Sequence, residues 1–129
     1  MNATLPVEDL HVEYKLWIAE LNFDLEMLNI FELHLENIIP RNGDNKDVLA
    51  QTEHFQNQFI CQREIIDQLK HDLNVSEKQL ASFTNYMLPV GYEFERLDNH
   101  PQLRERLFMH RKIFKDLKGE FRLFESELI

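Results

Sequence analysis

Glycine is nearly absent from this sequence, with three in 129 residues. Phosphate-cradling loops and nucleophile elbows need glycine where the backbone turns sharply or approaches a ligand closely. So poor a supply almost excludes such sites, and neither a Gly-rich phosphate loop, a Gly-x-Ser-x-Gly elbow nor a zinc-binding spacing is present. Cysteine occurs once, at Cys61, so no internal disulfide can form and nothing calls for an oxidising compartment. In Phe59-Ile60-Cys61-Gln62-Arg63 it falls in a helix interior, away from the helix amino terminus that would stabilise a thiolate. It therefore reads as a small, partly buried apolar residue. Long apolar runs are missing as well, each being far shorter than the ~18 residues a membrane span needs. The opening stretch is acidic and has neither the basic nor the apolar segment of a secretory leader. The expectation is a soluble, cytoplasmic chain.

Positive charge is the next shortage. The formal net charge is −9, which argues against nucleic-acid or membrane partners, since phosphate surfaces attract bases. The distribution says more than the sum. Residues 8–36 carry eight acids (Glu8, Asp9, Glu13, Glu20, Asp24, Glu26, Glu32, Glu36) against the single base Lys15. Residues 104–122 carry Arg104, Arg106, Arg111, Lys112, Lys115, Lys118 and Arg122. This suggests either a polyanion-binding last helix, or an acidic and a basic helix side by side. The second is favoured, because the bases surround an apolar stripe that must itself be buried.

What is present is periodicity. Leu10, Tyr14, Trp17, Leu21, Asp24, Leu28, Phe31, Leu35 and Ile38 succeed one another at steps of four and three, a heptad seam with one polar intruder. Pro6 with Glu8 and Asp9 marks its start, and Pro40 with Gly43 its end. A second seam runs Val48, Thr52, Phe55, Phe59, Gln62, Ile66, Leu69, Leu73, Ser76, Leu80, Phe83 and Met87, capped by Asp44 or Asn45. Its phase holds through Asn74-Val75-Ser76, so one helix is preferred to two. A third seam runs Leu103, Leu107, His110, Phe114, Leu117, Phe121, Phe124 and Leu128, with Gly119 off it and exposed. The fold class expected is all-α, one domain over 1–129, an up-down-up bundle of helices near 7–39, 45–87 and 101–128. Residues 88–100 are either an irregular crossover or a short fourth helical segment.

Each seam contains a polar residue: Asp24, Gln62 and His110. Counting outward from a turn at residue 43 sets Asp24 and Gln62 at one height, and the geometry of residues 88–100 decides the third: a helical extension brings His110 close, a long crossover sets it nearer His71. A hydrogen-bonded layer that fixes register is one reading, as a buried Asn does in coiled coils. A small-molecule or metal site is the alternative, although one Asp, one Gln and one His make a poor metal shell. Among six histidines only Glu8 with His11 has the Glu-x-x-His spacing of a di-iron bundle, and no second copy exists. His54 and His71 sit at polar outer positions. No metal, cofactor or catalytic residue is therefore assigned, and the protein is not expected to be an enzyme.

The first helix is too apolar for one neighbour. Leu16, Phe23, Met27 and Ile30 extend its seam on one flank, and Ile18, Leu25 and Ile39 on the other. A surface helix needs an apolar arc of only ~100°. Either a fourth segment encloses it or another chain presses against it. The expectation is a non-enzymatic, homo-oligomeric interaction or scaffolding protein, its partners itself as a homodimer and another protein, with Leu16, Phe23, Met27 and Ile30 as the interface.

Overall fold

The computed structural model describes residues 7–85 and 100–128. They form three helices, α1 (Val7–Arg41), α2 (Lys46–Asn85) and α3 (His100–Glu127), with no strand among the described residues. The fold class is all-α. The fourth segment considered at 88–100 lies outside the described residues except for His100, which opens α3.

Burial matches the apolar spacing of each helix. On α1 every position from Leu10 to Leu35 of the four-and-three series is buried, Asp24 included. The same holds on α2 from Val48 to Leu80, with Thr52, Gln62 and Ser76 among them, and on α3 from Leu103 to Phe124. Ile38 and Leu128, at the ends, are half-buried against this core. The physical reason is simple: at 3.6 residues per turn, steps of four and three keep one stripe facing inward.

α1 runs past Pro40 to Arg41, although proline is expected to end a helix. Pro40 cannot donate a hydrogen bond back along the helix, and Asn42 caps the carbonyls of the last turn. Its side-chain amide donates to the Ile38 carbonyl at 3.0 Å and its backbone N–H to the Ile39 carbonyl at 3.3 Å. Asn45, the second of the two candidate caps, starts α2. Its Oδ1 accepts from the N–H groups of Asp47 and Val48 at 3.1 and 3.2 Å, satisfying two otherwise unpaired donors. α2 continues unbroken through Asn74-Val75-Ser76. Gly119 is exposed, with open space where a Cβ would stand.

Contacts between helices fix which residues share a level. Glu32 meets Arg63, and Lys15 meets Glu77, so numbers rise along α1 as they fall along α2. Phe55 lies against Phe124, and Asp72 against Arg106, in the same opposed sense. Between α1 and α3 the numbers rise together: Glu13 with Arg104, Glu20 with Arg111, His34 with Glu125. Near the α1–α2 turn the core is aromatic, with Phe31, Phe55, Phe59, Phe121 and Phe124 in mutual contact; Phe31 and Phe121 have centroids 5.0 Å apart. Such pairs add about 0.5–1.5 kcal/mol each beyond area burial.

Candidate functional site

Four of the acids of α1 are engaged by neighbouring helices. Arg104 donates to Glu13 at 2.7 Å, and Arg111 grips Glu20 with two parallel bonds of 2.8 and 2.9 Å. Arg63 donates to both Glu32 and Asn29 at 2.8 Å. The bidentate Glu20 partner raises the Arg111 pKa further above its already high value. An acidic helix thus lies along a basic one, and two of the bases considered for polyanion binding face α1 carboxylates instead. Exposed pairs of this kind contribute at most about 1 kcal/mol each, so they set alignment more than stability.

Of the three polar core residues, two meet. The His110 ring nitrogen Nε2 lies 2.9 Å from Oδ2 of Asp24. With Asp24 a carboxylate, which only accepts, Nε2 carries the proton. The imidazole has no exposed side-chain surface and stacks on Phe114 at 5.3 Å between centroids. Its other nitrogen, Nδ1, is buried with no hydrogen-bond partner among the described residues. Gln62 is also buried, and its Oε1 likewise has no partner there. The levels marked by Arg63 with Asn29 and Phe59 with Phe31 set Gln62 beside the turn of Leu28, about one turn from Asp24. Among the described residues no hydrogen bond joins Gln62 to the other two. His71 stands on α2 away from this pair, one residue before the Asp72 that takes Arg106.

A second cluster, which sequence spacing does not signal, forms where α1 begins. His100 Nδ1 lies 3.0 Å from the buried hydroxyl of Tyr14, and its ring stacks on Trp17 with an interplanar angle of 11°. Glu13 and Arg104 close the other side, with Glu13 Oε2 at 3.8 Å from His100 Nε2. Burial pushes the Tyr14 hydroxyl up to about 12, helped by the Glu13 charge and opposed by Arg104. Burial also holds His100 below the ordinary histidine value, against the pull of Glu13 and with the push of Arg104. The group has no local signature because 86 residues separate Tyr14 from His100.

The two apolar flanks of α1 have different fates. Ile18, Leu25 and Met27 are half-buried against the core. Met27 therefore stands apart from Leu16, Phe23 and Ile30, the other residues of the expected interface. Those three, joined by Val12 and Leu33, are 50–64% exposed. At 100° per residue these five lie on the side of α1 opposite its buried stripe. Ala19 and Glu26, both exposed, complete a row at steps of four and three from Val12 to Leu33. Cys61 is exposed, contrary to its expected partial burial, because it falls one position outside the inward-facing Gln62. A shallow cleft of about 480 Å³ between α1 and α2 is lined by Glu32, Leu35, Gln56, Ile60 and Arg63, its one cation already engaged by Glu32.

No family model, curated protein or solved structure matches the chain. Among the described residues no group of three or more His, Cys, Asp or Glu side chains could hold a metal ion, and no helix is long and apolar enough to cross a membrane. What the arrangement offers chemically is an exposed apolar row along the back of α1, besides exposed apolar side chains on α2 (Ile60) and α3 (Phe108, Met109, Leu123).

Proposed function

We propose that this chain is a non-enzymatic, homo-oligomeric helical bundle that works by binding protein, as a scaffold or regulator. The observation that carries the reading is the exposed apolar row on the back of α1. Isolated apolar side chains on a surface need no explanation, but a contiguous row does, because it costs solubility unless something covers it. The row repeats the four-and-three steps of a helix that packs against another helix.

The same reading takes the three helices as one domain, an up-down-up bundle with heptad seams and coiled-coil packing. The opposed numbering of α1 with α2 and of α2 with α3 supports it. A protein partner fits better than nucleic acid or a membrane surface, given a net charge of −9 and the engagement of Arg104 and Arg111 by α1. A cytoplasmic location fits the single cysteine.

Light scattering of the purified chain tests this directly. A species larger than a monomer is expected, reduced to monomer by Leu16→Glu. A monodisperse monomer that Leu16→Glu leaves unchanged would count against the reading. A second reading, a small-molecule or metal site at Asp24, Gln62 and His110, has the two unpartnered buried atoms in its favour. It requires a co-purifying ligand or metal, and elemental analysis with thermal-shift measurements on divalent ions would return nothing if it is wrong.

A further inference from the structure

We infer that the surface covering the back of α1 is a second copy of this chain, lying antiparallel about a two-fold axis near Asn22 and Phe23. This rests on the interaction reading above and adds orientation and centre.

The stretch joining α2 to α3 cannot cover the whole row. Residues 86–99 must leave Asn85 and return to His100. Glu77 touches His11, and His100 touches Tyr14, so both ends of that stretch stand near the start of α1. Going out and back, the stretch reaches at most about 25 Å. Leu33 lies about 29 Å beyond Tyr14. The far end of the row is out of its reach.

Charge on this face permits a copy. A chain at −9 would ordinarily repel its own kind, but Glu13, Glu20 and Glu32 point at arginines on α2 and α3, and Asp24 faces the core. The back of α1 keeps one acid within the row, Glu26, which is exposed. Position along the helix accommodates the antiparallel arrangement. About a midpoint between 22 and 23, Val12 mirrors Leu33, Leu16 mirrors Ile30 and Ala19 mirrors Glu26, each to within one residue. Phe23 falls on the axis. A row with this spacing can meet itself when one helix is reversed about a perpendicular two-fold axis, one of the two isologous arrangements open to it.

Glu26 decides between the two orientations. In a parallel pair it faces the Glu26 of the copy, a like-charge contact in the middle of a nonpolar strip. In the antiparallel pair it faces small Ala19, with Lys15 one turn further along. Lys15 now lies 3.0 Å from Glu77 with its side chain 62% exposed, so its ammonium is free to shift toward a second carboxylate. The strip from Val12 to Leu33 is about 32 Å long and one helix wide. That is a small interface, so dimerisation should depend visibly on concentration.

The test uses the full chain with Cys61→Ser and Asn37→Cys, nitroxide-labelled at the new thiol. Sedimentation velocity from about 10 µM to about 1 mM should show monomer giving way to dimer. In the antiparallel dimer the two labels sit about 45 Å apart by pulsed electron paramagnetic resonance; in a parallel dimer they sit under about 20 Å apart. Phe23→Glu should abolish the dimer while leaving helical circular dichroism unchanged, because Phe23 takes no part in the core. A monomer at every concentration overturns this inference together with the homo-oligomer reading. A dimer with short label separation overturns the antiparallel arrangement alone. A dimer indifferent to Phe23→Glu overturns its placement on α1.

Discussion

Replacing Asp24 by Val and His110 by Leu together is expected to leave stability within about 1 kcal/mol of the parent, or above it, while truncating either residue alone is costly. The His110 side chain has no exposed surface and so cannot turn to water for a new partner, while that of Asp24 is only 11% exposed. His110→Ala deletes the 2.9 Å bond and the stack on Phe114, and strands a carboxylate. Breaking a buried pair from one side costs about 3–5 kcal/mol. The lower end applies here, because Asp24 keeps some solvent contact and lies in the field of Arg111. A loss of about 3 kcal/mol lowers the melting temperature of a domain this size by about 10 °C. Asp24→Ala leaves both imidazole nitrogens without partners and costs about 2 kcal/mol. Apolar replacement of the pair removes both desolvation penalties at once. The assay is urea unfolding monitored by circular dichroism for the parent, the two alanine variants and the double replacement. Single losses below about 0.5 kcal/mol, or a double replacement as damaging as the two singles summed, would refute the view that these groups are coupled in the core.

His100 binds its proton more weakly in the fold than in the unfolded chain, so its contribution is full above the ordinary value of 6.5 and is lost as pH falls below it. Urea midpoints measured from about pH 7 to about pH 5 should therefore drop more for the parent than for His100→Gln. Tyr14, at about 12, runs the opposite way: its contribution is full below the ordinary value of 10.0 and is lost as pH rises toward 12, so an ultraviolet titration should find one tyrosine ionising late, and Tyr14→Phe should remove that step. Asn45→Ala removes the cap of α2 and should cost about 1 kcal/mol in chemical denaturation. Gly119→Ala should raise the urea midpoint, stabilising the protein by about 1 kcal/mol, since the added methyl meets nothing and the helix interior favours alanine.

The inward stripe of each helix was legible residue by residue, polar intruders included. Leu10 to Leu35, Val48 to Leu80 and Leu103 to Phe124 are buried where spacing put them. That is a local matter. Helix pitch fixes which residues share a face, whatever the rest of the chain does. The turn between α1 and α2 was nearly as plain, because Asn45 can cap only the helix that begins directly after it.

Which stripe residues meet across helices was not legible. Asp24 and His110 touch, while Gln62 sits a turn away, because levels depend on where each helix enters the core and not on its own periodicity. The Tyr14–His100–Trp17 cluster depends on the same long-range register. The flanks of α1 make the distinction sharpest. Sequence alone determined that this helix carries more apolar surface than one neighbour can take. Only the tertiary structure decided that Met27, Ile18 and Leu25 find the core while Leu16, Phe23 and Ile30 do not. The physical reason is that an apolar arc is a property of one helix, whereas the part of it left facing water is set by how its neighbours are placed.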